Sequence, residues 1–211
     1  MAKCLLFLVL LLGLSNSVFA AVGCDLNDPD RDVKRLFPES TGYKTEYFQI
    51  EKFGGKPLLK EVEERLADKF QGLYETIDVP YTIYTVFKGK ETIGYIHGVN
   101  QKSLYGGMQV FLGYDPKGSI INFYYQKLTS RKAAELRSKE FGRQFSGLAF
   151  SDLKDYDPKT GKTSNPRISA IKNPTPDDET DFKATFRAVK KNMILMDIFI
   201  FSKRGKAEFG F

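Results

Sequence analysis

The residues able to do covalent or metal chemistry are few in this chain. It has one histidine, His97, and two cysteines, Cys4 and Cys24. A tetrahedral metal site draws on several Cys and His side chains, so His97, inside an aromatic and β-branched run, reads as a structural or exposed strand residue. The 26 carboxylates are scattered through polar faces and turns, and no two stand out as an acid and a base. Hydrolase chemistry has no visible support. What remains is chemistry of the backbone and of hydroxyls. Gly106 and Gly107, after Tyr105, allow close approach and free N–H groups, which suits a phosphate. They equally suit a plain hairpin turn. Thr129 and Ser130 can hydrogen-bond, and Arg131 opens a helical stretch, where the helix dipole also favours an anion.

The elements that must position these residues are legible from periodicity. Residues 81–87, 91–99, 108–114 and 119–128 are β-branched and aromatic runs of strand length. Lys88-Gly89-Lys90 and Asp115-Pro-Lys-Gly118 supply short turns between them, so an antiparallel meander is expected. Residues 57–74 carry Leu58, Leu59, Val62, Leu66, Phe70 and Leu73 at spacings of three and four, the mark of an amphipathic helix. A second helix is expected over 130–141, then a short strand or loop over 145–150. Residues 155–174 read as loop, with room for one edge strand. Thr175-Pro-Asp-Asp178 matches a capping box with proline at the first helical position, and Phe182, Phe186, Val189, Met193, Met196 and Ile200 follow as a core stripe. Helices and strands cluster separately, which argues for an α+β fold, an antiparallel sheet packed with helices.

The first residues have the layout of a signal peptide: Met-Ala-Lys, an apolar run over 4–14, then Ser15, Asn16 and Ser17. The apolar run is about half of the roughly 20 residues a membrane-crossing helix needs. Two cleavage readings compete. Val18-Phe19-Ala20 suits an ordinary signal peptidase, while Ala21-Val22-Gly23-Cys24 resembles a bacterial lipobox. With Cys24 the sole cysteine beyond the leader and a polar stretch after it, the lipoprotein reading gives lipidation at Cys24. The expected organisation is a signal peptide over 1–23, an anchor and tether over 24–56, and one domain over 57–211. No disulfide framework is available. The chain would lie in a bacterial cell envelope, membrane-anchored and facing periplasm or exterior. The net charge of +6 and pI near 9.1 would suggest nucleic acid in a cytosolic protein, but export removes that partner, leaving solvated surface or anionic headgroups.

The stretch from Gly94 through Tyr105-Gly106-Gly107 to Gln109-Val-Phe-Leu-Gly-Tyr-Asp-Pro-Lys-Gly118 and Ile120 resembles the FMN-binding domain of the flavoprotein subunits of Rnf and sodium-translocating NADH:quinone reductase complexes. The shared layout is a strand, Tyr-Gly-Gly, then a strand running into Gly-x-Asp-x-x-Gly-x-Ile, and the likeness spans 92–148. It departs after the fourth strand. There the family carries Glu-Thr-Pro-Gly and this chain Lys127-Leu-Thr-Ser-Arg131, so Thr129 is kept and the glycine is not. Covalent members hold FMN on the threonine of Ser-Gly-Ala-Thr. The nearest match is Phe182-Lys-Ala-Thr185, with two large residues in place of the small pair.

The resemblance implies an FMN site at Tyr105, Gly106, Gly107, Thr129, Ser130 and Arg131, with non-covalent binding favoured over attachment at Thr185, and Lys183 and Arg187 as further phosphate partners. It implies extracytoplasmic electron transfer with no dedicated catalytic side chain, the partner a membrane reductase or other redox protein. The alternatives are a binding or structural lipoprotein whose fold has lost its flavin, and a reductase with its own small substrate.

Overall fold

The alternating runs build one antiparallel sheet. The computed structural model describes residues 23–72 and 74–202. Its strands are β1 (Gly42–Phe48), β2 (Tyr81–Lys88), β3 (Glu91–Ser103), β4 (Gly106–Tyr114) and β5 (Ile120–Leu128), in the order β1-β2-β3-β4-β5. The four strands expected from the pattern are present. The first was not expected: Gly42-Tyr-Lys-Thr-Glu-Tyr-Phe48 has three polar residues in a row and only Phe48 buried, as suits an edge strand, and its place beside β2 comes from pairing such as Tyr43 with Val86.

The helices are α1 (Pro29–Leu36), α2 (Ile50–Phe53), α3 (Gly55–Leu66), α4 (Ala133–Leu136), α5 (Lys139–Arg143), α6 (Phe150–Leu153), α7 (Pro166–Ser169) and α8 (Thr180–Met196), the last running into a π-helical turn, Asp197–Phe201. Side chains alternate across a strand, so the sheet has two faces. On one, Ile83, Val99, Val110 and Leu112 pack under α3 and α8, whose Val62, Leu66, Phe186, Val189 and Met193 are buried. The core stripe expected of the closing helix is thus largely buried, with Phe182 and Ile200 at its margin.

Several boundaries moved for local reasons. The helix expected to reach residue 74 stops at Leu66, where Ala67 turns left-handed at φ 60° and Phe70 N–H bonds to Glu63 Oε1. Leu73 lies outside the described residues. The helix expected over 130–141 is broken in two because Ser138 caps a fresh turn, its Oγ accepting from Phe141 N–H. Residues 155–174 hold the short α7, capped by Asn165, instead of an edge strand. Thr175 closes a turn with Asp178 O, so α8 begins at Thr180 and not at Pro176.

The second face carries the largest correction. Residues 24–56 are not a tether: α1 and the segment before it form a layer over the sheet, and 42–48 is a strand of it. Cys24, Leu26, Val33, Leu36 and Phe37 pack against Tyr84, Val86, Ile96 and Phe111. Gly94 makes this possible. A Cβ there would lie 2.4 Å from the Phe37 ring and 2.3 Å from Tyr114 O, so only a bare α-carbon lets Phe37 reach the sheet. Burying that ring contributes about 2–3 kcal/mol. Among the described residues no helix is long and apolar enough to cross a membrane.

Candidate functional site

The tip of the β3–β4 hairpin gathers the residues singled out by motif. Ser103 pairs with Gly106 and the turn is Leu104-Tyr105. Gly106 sits at φ 152°, a conformation side chains rarely adopt, and a Cβ on it would stand 3.1 Å from Thr129 Cγ2. Thr129 is locked in place: its N–H donates to Gly107 O at 3.1 Å, and Ser103 Oγ donates to Thr129 O at 2.9 Å. Ser130 Oγ accepts from Lys132 N–H at 3.1 Å. The Arg131 guanidinium lies 4.5 Å over the Tyr105 ring. Tyr105, Gly106, Gly107, Thr129, Ser130 and Arg131 therefore share one rim. Leu104 and Tyr105 are exposed beside it.

Thr185 does not join them. It is fully buried one helical turn beyond Asp181, where its Oγ donates to Asp181 O at 2.7 Å and shares a 2.6 Å hydrogen bond with Tyr125 OH. A phosphoester there would need both hydrogen bonds broken and the core opened, so the structure offers no attachment point at Thr185. Lys183 is paired with Glu179 at 2.9 Å. Arg187 is no phosphate partner, because its five N–H donors are spent on Asp68, Glu75 (twice), Gln101 Oε1 and Lys69 O at 2.6–3.0 Å.

These bonds border a cleft of about 420 Å³ next to the tip, whose walls include Tyr74, Leu104, Thr180 and Ala184, with Glu75 and Arg187 among its charged groups. Behind it, Lys191 Nζ donates to Glu75 Oε1 at 2.5 Å and to Asn100 O at 2.7 Å. Burial works against the charge on Glu75, but the Lys191 ammonium and the Arg187 guanidinium outweigh it and hold the carboxyl at about 2. Burial in turn pulls the Lys191 ammonium below its ordinary value, against the pull of Glu75. This network was not read from the sequence. Its signal was there: Lys191, one turn after Arg187, stands in the otherwise largely apolar and buried second half of the closing helix.

His97 is fully buried, with Nδ1–H donating to Thr82 O at 2.9 Å. Burial lowers its pKa to about 4, so the imidazole is neutral and structural. No group of side chains suited to a metal occurs among the described residues. Cys24 is 4% exposed, and burial pushes its thiol well up. Its neighbours are pinned: Thr82 Oγ1 donates to Asp25 Oδ1 at 2.6 Å, Leu26 N–H to Tyr84 OH at 3.0 Å and Asn100 Nδ2 to Gly23 O at 3.0 Å. A lipid on Sγ would require this segment to leave the sheet. Of the expected leader, 1–23, residues 1–22 lie outside the described residues.

No family model matches the chain, and no curated protein sequence does. Among solved structures, the chain is similar to NqrC of Shewanella oneidensis, at 13% sequence identity over 88% of this chain and 88% of that one, with a TM-score of 0.48.

Proposed function

We propose that this chain is an exported protein that binds flavin mononucleotide reversibly at the β3–β4 tip and passes electrons outside the cytoplasm, its partner a membrane reductase or another redox protein. One observation carries the reading. Residues chosen by motif from separate stretches, Tyr105-Gly106-Gly107 and Thr129-Ser130-Arg131, meet at one rim beside a cleft.

The groups present suit the cofactor. Gly106 and Gly107 leave the backbone bare, Tyr74, Leu104 and Tyr105 offer apolar surface, Thr129 and Ser130 offer hydroxyls, and Arg131 offers a fork of donors for a phosphate. When bound, the isoalloxazine ring supplies the redox chemistry. The chain's own part is to bind and orient it. Asp181 and Thr129 hold the tip, and the Arg187–Glu75–Lys191 network keeps the cleft wall fixed with its charges already matched. His97 is buried away from such a role, and no other side chain is assigned an acid or base step. Export rests on the leader-like pattern of the first twenty residues. With Cys24 in its buried place, cleavage after Ala20 is the reading that leaves the fold intact, and the membrane is then reached through the partner.

A second reading, a binding protein of this fold without flavin, is favoured by the sealed Thr185 and by Lys127-Leu-Thr-Ser-Arg131, which lacks the glycine. An FMN titration of the mature protein, followed by absorbance, separates the two. Saturable binding that weakens in Arg131→Ala, with colour released by acid even after coexpression with a flavin transferase, supports the proposal. Protein that stays colourless in excess FMN would sink it.

A further inference from the structure

The sheet has two edges, and the chain closes one of them itself. Along β5, Ile120 N–H donates to Leu148 O at 2.9 Å, Gly147 N–H donates to Ile120 O at 2.7 Å, Arg137 Nη1 donates to Tyr125 O at 2.6 Å, and Gly142 packs on Phe123. β1 ends the other side. It pairs with β2 alone, and none of residues 42–47 is buried. An edge strand presents N–H and C=O groups that can take up another strand. The layers that cover the sheet are centred inboard of this edge: the α1 layer rests on Tyr84, Val86, Ile96 and Phe111, residues of β2, β3 and β4, and α8 rests on β3 and β4.

The side chains of β1 are arranged about its midpoint. Thr45 is the centre of Gly42–Phe48, with Lys44 and Glu46 on either side of it and Tyr43 and Tyr47 beyond them. Alternation puts Lys44, Glu46 and Phe48 on the face of the main core and Tyr43, Thr45 and Tyr47 on the α1 face. Tyr47, at 68%, is the most exposed large hydrophobic side chain among the described residues. Two antiparallel copies related by a two-fold axis normal to the sheet keep their faces in common, so the axis must pass through a residue. Through Thr45 it pairs the whole strand: Lys44 of each copy faces Glu46 of the other, Tyr43 faces Tyr47, and Thr45 faces its own copy. Through Lys44 or Glu46 it would set like charges against each other. Lysine on an edge strand ordinarily opposes pairing. Here Glu46, already 2.9 Å from Lys44 Nζ within the chain, makes that lysine a mark of register.

We propose that β1 is a homodimer interface, at which two copies of this chain join edge to edge through residues 42–48, antiparallel about Thr45, so that their two five-stranded sheets become one. The occupant is a second copy because the strand complements itself in charge and in aromatic pairing at that register. A foreign strand of one charge would gain at Lys44 what it lost at Glu46, or the reverse. The β3–β4 tip belongs to strands away from β1, and the inference does not depend on flavin binding.

Sedimentation velocity of the mature protein over a range of concentrations should show a reversible monomer–dimer equilibrium. Lys44→Glu leaves only carboxylates around the axis and Glu46→Lys only ammonium groups, so each variant alone should dimerise about tenfold or more weakly. Mixed in equal amounts, the two variants are complementary again in the Thr45 register, and a heterodimer should form with an affinity near that of the unaltered protein. Circular dichroism checks that each variant is folded. In the unaltered protein, amides of 42–48 should gain protection from hydrogen exchange as concentration rises, a readout that needs no substitution. A protein that stays monomeric at every concentration, a dimer indifferent to both substitutions, folded variants whose mixture stays monomeric, or protection gained only on another surface would each overturn the proposal.

Discussion

Asp181 Oδ1 accepts the backbone N–H of Leu104 at 2.8 Å across a sequence separation of 77 residues, so the first turn of α8 holds the tip of the β3–β4 hairpin. Asp181 is itself buried, and its backbone oxygen takes the hydroxyl of Thr185. The rim that carries Tyr105, Gly106 and Gly107 is therefore positioned by the helix that closes the fold.

Asp181→Ala strands the Leu104 N–H in a partly buried place and should cost about 1–3 kcal/mol of stability. Urea unfolding measures that loss, and FMN titration of the same variant should show weaker binding because the tip is released. Unchanged stability together with unchanged FMN affinity would show that the hydrogen bond does not set the tip.

Glu75 is a buried acid held between Arg187 and Lys191. Its carboxyl titrates at about 2 in the folded state against an ordinary value of 4.5. A depressed folded pKa contributes stability that is fully present above pH 4.5 and is lost as pH falls toward 2. Glu75→Gln should remove that acid dependence and, by leaving Lys191 and Arg187 without their shared anion, destabilise by about 3–5 kcal/mol at neutral pH. Unfolding curves of both proteins across this range give the slope and the loss together.

Phe37 and Gly94 should behave as a coupled pair. Phe37→Ala opens a cavity at a cost of about 3–5 kcal/mol. Gly94→Ala forces a methyl into the Phe37 ring at about 1–3 kcal/mol. Because the first change vacates part of the space the second needs, the double variant should lose less than the sum. Strict additivity in urea unfolding would place the ring elsewhere.

The Cys24 thiol, buried and pushed up in pKa, should resist modification by a thiol reagent in the native protein and react fully in denaturant. Intact mass of the mature protein adds the second check. A free thiol with the chain starting at Ala21 agrees with the fold as described, whereas an N-terminal Cys24 carrying a diacylglyceryl mass would restore the lipid anchor.

Local pattern was enough for the strands 81–128 and for the closing helix, since alternation at two residues and recurrence at three and four report the face each element buries. It was also enough to bring Tyr105-Gly106-Gly107 and Thr129 to one end of a sheet, because neighbouring strands of a meander share their ends. It could not see β1, whose Lys44, Thr45 and Glu46 break the alternation and whose only buried residue is Phe48, so it is made a strand by pairing with β2. Nor could it tell that Phe37 and Cys24 are core, since Phe37 reaches the sheet over the empty α-carbon of Gly94 and the neighbours of Cys24 are held by Thr82, Tyr84 and Asn100. The sealing of Thr185 by Tyr125 and the joining of Glu75 to Arg187 and Lys191 span sequence separations of 60, 112 and 116 residues. A side chain's type fixes what it can bond. Which partner reaches it, and whether water still does, is decided only when distant segments pack.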